Sequence, residues 1–62
     1  MAQDINRRQL RVGQEVIWYD PDLVNRDTKR VWNVDNIIND EVVLISDPYS
    51  EAEVFPKELE II

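Results

Sequence analysis

Asn39-Asp40-Glu41-Val42-Val43-Leu44-Ile45-Ser46-Asp47-Pro48-Tyr49-Ser50-Glu51-Ala52-Glu53-Val54-Phe55-Pro56-Lys57-Glu58-Leu59-Glu60-Ile61-Ile62 is the stretch that decides the fold. Asn39-Asp40 tolerates left-handed backbone and predicts a tight hairpin into Glu41–Ser46, an aliphatic run of strand length. Asp47-Pro48-Tyr49-Ser50 carries turn residues, so a further strand is expected over Glu51–Phe55. There Ala52 and Val54 can face a core while Glu51 and Glu53 face water, because side chains alternate along a strand. Pro56 at the first position predicts one helical turn over Pro56–Leu59, and Glu60-Ile61-Ile62 closes the chain as a last short strand.

Working back from that stretch, a strand is expected near Arg30 to Ile38. Trp32 and Val34 share one face of it, Ile37 falls on the other, and a β-bulge near Asp35-Asn36 would return Ile37 to the core. The first strand is Glu15–Tyr19, entered through Leu10-Arg11-Val12. Val16 and Trp18 share one of its faces, Ile17 and Tyr19 the other. Between these strands, Asp20 to Lys29 is a long loop rich in charge and turn formers. Residues 1–9 read as a flexible polar arm, which leaves residues 10–62 as the domain. Eight valines, seven isoleucines and a threonine outweigh the six residues of Ala and Leu, and β-branched side chains favour a pleated surface over a helix. Five short strands and one helical turn describe a small closed all-β barrel, closure being one way to leave few unpaired edges.

At 62 residues the chain forms one domain with a thin core. It has neither cysteine nor histidine, which excludes disulfides, thiolate zinc sites, imidazole ligands and Cys or His catalysis. The net charge of −6 argues against a phosphate-binding surface over the whole molecule. It is also unevenly placed. Val31 to Ile62 holds eight carboxylates against Lys57 alone, whereas the first thirty residues are close to neutral. The first residues lack the apolar run of a signal peptide and no stretch is long enough to span a membrane, so the expectation is a cytoplasmic protein with no membrane partner.

Leu10-Arg11-Val12-Gly13-Gln14-Glu15-Val16 followed by Trp18 resembles the opening strand of SH3-like barrels of the Tudor and KOW type. Phe55-Pro56-Lys57-Glu58-Leu59-Glu60-Ile61 resembles their short helical turn and last strand. Trp18-Tyr19-Asp20-Pro21-Asp22, Val43-Leu44-Ile45-Ser46 and Ser50-Glu51-Ala52-Glu53-Val54 look like segments of small bacterial SH3-like proteins of about this length. The resemblance spans Leu10 to Ile62 and implies a five-stranded SH3-like barrel with a short helical turn before the last strand. It says little about function, since such barrels serve many roles. Asn25-Arg26-Asp27 departs from the glycine-bearing turn expected in the long loop.

In these barrels aromatic side chains line a ligand groove, and here Trp18, Tyr19, Trp32, Tyr49 and Phe55 lie in or beside the corresponding strands and turns. Aromatic faces take prolines, or cations where carboxylates stand nearby. Trp18 shares a face with Val16 and is expected in the core. Tyr19, Trp32 and Tyr49 are the expected contact aromatics, with Asp20, Asp22, Glu51 and Glu53 around them. The plainer readings are that the tryptophans fill core volume and the acids keep the surface wet. Two basic clusters, Arg7-Arg8-Arg11 and Arg26-Lys29-Arg30, carry the alternative of a nucleic-acid contact.

Catalytic and metal readings are weaker. Asp20, Asp22, Asn25 and Asp27 imitate a calcium loop, but Val24 stands at a ligand position and no glycine follows. Glu51 and Glu53 project to one side of a strand as an acid/base pair would, but so short a chain leaves little room for a shaped cleft. The expectation is a non-enzymatic binding module without cofactor or metal. It is monomeric, with an unknown protein or peptide partner, basic or proline-rich, and nucleic acid is disfavoured. A nucleic-acid accessory protein and a homo-oligomeric structural subunit are the alternatives.

Overall fold

In a computed structural model, which describes residues 1–20 and 31–62, the chain is all-β. Strands β1 (Glu15–Trp18), β2 (Val31–Ile37), β3 (Val43–Ser46), β4 (Glu51–Val54) and β5 (Leu59–Ile61) form one antiparallel sheet in the order β4-β3-β2-β1-β5. A 3₁₀ turn, Pro56–Glu58, joins β4 to β5. No ladder joins β4 to β5, so the pairing stops short of the closed barrel that the strand count led us to expect.

Each connection has a local cause. Gly13 sits at φ 93°, a conformation that costs a residue without Cβ little, and its N–H donates to Val34 O at 2.8 Å. The β2 register shifts between Val34 and Asn36, and Ile37 comes to pack against the core as the expected bulge requires. The β2–β3 turn is made differently from the tight left-handed hairpin expected there. Among the described residues only Arg7 and Gly13 have positive φ, and the turn is held by the side chain of Asn39. Its Oδ1 accepts from Glu41 N at 2.7 Å and Val42 N at 2.9 Å, an Asx arrangement that needs no left-handed residue. Asp47 Oδ1 does the same for the β3–β4 turn, accepting from Tyr49 N and Ser50 N.

The core is Ala2, Leu10, Val16, Trp32, Val34, Val43, Ile45, Val54 and Leu59, with Trp18, Ile37, Ala52 and Ile61 packed against it. One of its members, Ala2, belongs to a segment whose composition pointed to solvent. Residues 1–9 are a folded loop and not the expected polar arm. Leu10 N donates to Ala2 O at 3.0 Å, Asp4 N to Arg8 O at 2.8 Å, and Gln3 bridges Gln9. The loop lies along β5, where Ile5 N donates to Leu59 O at 2.7 Å. Arg8 Nη2 donates to Ile61 O at 2.8 Å, and Ile61 N donates to Asp4 Oδ2 at 2.9 Å. Asp4 is the reason polar composition misleads here. At 4% exposure its carboxylate works as an internal acceptor, taking Asn6 N and Arg8 N as well on Oδ1. Burial opposes its ionisation, but the Ile61, Arg8 and Asn6 N–H donors and the Arg8 charge outweigh that and hold its pKa below the ordinary 3.8.

Candidate functional site

The two tryptophans lie on the same side of the sheet and differ in how deeply they are buried. Val16 pairs with Trp32, and Trp18 pairs with Leu59. Trp32 is therefore flanked by β1 and β3 at the middle of the sheet and is 5% exposed. Trp18 ends its strand, and its ring stands edge-on to Trp32 with centroids 5.4 Å apart and planes at 86°. Trp32, expected as a contact aromatic, is therefore a core residue, while Trp18 is half-buried against that core at the strand's end, because position along the strand decides the degree of burial once both side chains point inward.

Trp18 forms one wall of a groove of ≈ 460 Å³ where the end of β1 faces the end of β4. Val42, Val54 and Phe55 supply further apolar surface, and the carboxylates of Asp20, Glu41, Glu53 and Glu58 surround it. No lysine or arginine is among the described residues lining it. Phe55 is 54% exposed and has the Lys57 ammonium 5.6 Å from its ring centroid. Lys57 itself lines the adjoining hollow of ≈ 430 Å³ together with Pro56 and Gln3.

Glu58 is positioned by the 3₁₀ turn. Its N–H donates to Phe55 O at 3.0 Å, and its Oε1 accepts from Phe55 N at 3.3 Å. Its Oε2 is buried with no donor, and Trp18 Nε1 is buried with no acceptor. A buried carboxylate oxygen and a buried indole N–H normally find partners, and these two have none among the described residues.

Of the residues expected at a site, Asp20 and Glu53 reach this groove. Glu51 is exposed on the water face of β4. Tyr49 is 90% exposed at the tip of the β3–β4 turn, away from the groove. Tyr19 is exposed, and its hydroxyl donates to Glu60 Oε1 at 2.5 Å, which raises its pKa above 10.0 because the bond favours the protonated phenol. Asp22 lies outside the described residues, as do Arg26, Lys29 and Arg30. Of the other basic cluster, Arg7 and Arg11 are exposed, and Arg8 is engaged with Ile61 O and, at 3.4 Å, with Asp4 Oδ2. Glu41, Val42, Val54 and Glu58 were not expected at the site. Only the hairpin and the helical turn, which fold distant segments onto Trp18, bring them there.

Among the described residues, no three carboxylates are grouped so as to hold a metal ion, and no helix is long and apolar enough to cross a membrane. No protein-family model matches the chain, and searches of curated proteins and of solved structures return no match.

Proposed function

We propose that this protein is a non-enzymatic binding module of the SH3-like kind, which takes a basic segment of a protein or peptide in the groove between Trp18 and Phe55. A four-stranded antiparallel meander, β1 to β4, followed by a 3₁₀ turn and a fifth strand that crosses to pair with β1, supports the SH3-like reading. One observation carries the functional one: an open, partly aromatic groove is surrounded by four carboxylates and has no cation among the described residues that line it. A lysine or arginine side chain suits it on every count. Its methylene stem covers Val42 and Val54, its head lies against an aromatic face, and the carboxylates draw it in. Phosphate-rich partners are repelled by the same charges.

Exposed ion pairs contribute about 0.2–1 kcal/mol each and a cation over an aromatic face about 0.5–2 kcal/mol. A short basic peptide should therefore bind with a Kd no tighter than roughly fifty micromolar, more weakly as salt is raised. The test is amide-shift mapping of the ¹⁵N-labelled chain with arginine-rich, proline-rich and acidic peptides. The reading requires shifts at Glu41, Glu53, Phe55 and the Trp18 indole with the basic peptide. It fails if those signals stay still or if the acidic peptide binds as well.

A further inference from the structure

The two edges of the sheet are treated differently. On β5, Leu59 O, Ile61 N and Ile61 O all point outward, and the folded segment at residues 1–9 satisfies each of them through Ile5, Asp4 and Arg8. β4 has no such cover among the described residues. The Asp47 N–H donates to Ser50 O at 2.9 Å where the hairpin closes. With that pair hydrogen-bonded, the alternation of an antiparallel ladder makes Ile45↔Ala52 and Val43↔Val54 the bonded pairs beyond it. Glu51 and Glu53 then direct their backbone N–H and C=O groups away from β3. Among the described residues nothing accepts from or donates to those groups. β4 ends at Val54, which lines the groove along with Glu53 and Phe55.

We infer that the basic segment binds as an added strand on β4, pairing its backbone with Glu51 and Glu53. This rests on the groove reading above and specifies the conformation and spacing of the ligand. Residues opposite each other across a ladder put their side chains on the same face, so basic residues at alternate positions meet the Glu51 and Glu53 carboxylates. The residue between them turns to the face of Ala52 and Val54, the side on which Trp18 lies. The recognised pattern is therefore a cation at every second position around the lysine or arginine that enters the groove. A second copy of this chain is the poorer occupant, since its β4 would set glutamates against glutamates.

The test uses the full chain and acetylated, amidated peptides in which arginine and valine alternate, with one central valine replaced by lysine to enter the groove. A block isomer of the same composition and peptides N-methylated at either alternate set of amides complete the series. The alternating peptide is expected to bind about tenfold more tightly than its block isomer, with Glu51 and Glu53 amides slowed in exchange. Methylating one set of amides removes about tenfold or more of the affinity, and methylating the other changes it by no more than about twofold, because only one set faces β4. If both isomers and both methylated peptides bind alike, strand addition is overturned while the groove reading stands. If no basic peptide moves the Trp18 indole or Phe55, both are overturned. A dimer whose β4 amides are protected without peptide assigns the edge to a second copy and also overturns the inference.

Discussion

Replacing Asp4 by asparagine changes little in shape and removes what the carboxylate alone provides. Two oxygens accept three backbone N–H groups, Asn6 and Arg8 on Oδ1 and Ile61 on Oδ2, at 2.8–2.9 Å. An amide has one acceptor. Whichever way it is turned, its NH₂ faces either Ile61 N–H or the Asn6 and Arg8 pair, and donor meets donor. A buried N–H left without a partner costs about 1–3 kcal/mol, and bonds to a charged acceptor are worth about 1.5–3 kcal/mol against roughly 1 for a neutral one. The expected loss is about 2–3 kcal/mol. At the usual scale a chain of this length has roughly 3–9 kcal/mol in all, so Tm should fall by about 8–24 °C. Arg8→Ala is the control. Its guanidinium is 51% exposed, so the ion pair with Asp4 is worth at most about 1 kcal/mol. The pH dependence has a definite sign. The folded carboxyl titrates below 3.8, so its contribution is complete above the unfolded value and is lost as pH falls through the folded one. Denaturant titrations followed by tryptophan fluorescence at several pH values should show this part of the acid destabilisation in the native chain and not in Asp4→Asn. The reasoning is refuted if Asp4→Asn stays within about 0.5 kcal/mol of the native chain at neutral pH, or if Arg8→Ala costs more than Asp4→Asn.

Trp32→Phe should lower the denaturation midpoint more than Trp18→Phe, since Trp32 is 5% exposed at the sheet centre whereas Trp18 borders the groove; Trp32→Ala should cost about 3–5 kcal/mol and leave much of the chain unfolded. Peptide affinity should reverse that order, with Trp18→Phe losing binding that Trp32→Phe keeps in the folded fraction. In a Tyr49→Phe background, ultraviolet absorbance should show the Tyr19 phenol titrating above 10.0, and Glu60→Gln should bring it back down. No change on Glu60→Gln would remove the hydrogen bond as the cause.

What the sequence discloses of this fold is what period-two patterning controls. Ala52 and Val54 inward with Glu51 and Glu53 outward, the bulge that recovers Ile37, and the turn opened by Pro56 all follow from neighbours a few residues apart. What it conceals depends on contacts across the chain. Nothing near Asp4 in the sequence announces Ile61, 57 residues away, so a polar loop with an internal carboxylate reads as a solvated arm. Trp18 and Trp32 have equivalent local patterns, and only the strand order puts one at the middle and the other at an end. The site suffers the same way. Its chemistry, aromatic rings beside carboxylates, is legible in composition, and two of its acids, Asp20 and Glu53, are reachable by proximity to turns. Glu41 and Glu58 become members only when the β2–β3 hairpin and the 3₁₀ turn converge on Trp18.

The glutamates of β4 admit two descriptions that look like competitors, a solubilising surface and a binding surface. The sheet makes them one. A strand edge with free N–H and C=O groups pairs with any extended chain, and charge is what limits its choice. Glu51 and Glu53 repel an identical edge and a neutral aggregation-prone strand gains nothing from them, while a segment with cations at the matching spacing is attracted to both. The β5 edge has no need of such selection, because Asp4, Ile5 and Arg8 already occupy it. One consequence separates this from a purely solubilising role. Glu51→Lys with Glu53→Lys keeps the edge charged and the chain dispersed, since like still repels like, yet it should reverse the preference from basic to acidic peptides. A double variant that remains monomeric but still prefers the basic peptide would show that the edge takes no part in recognition.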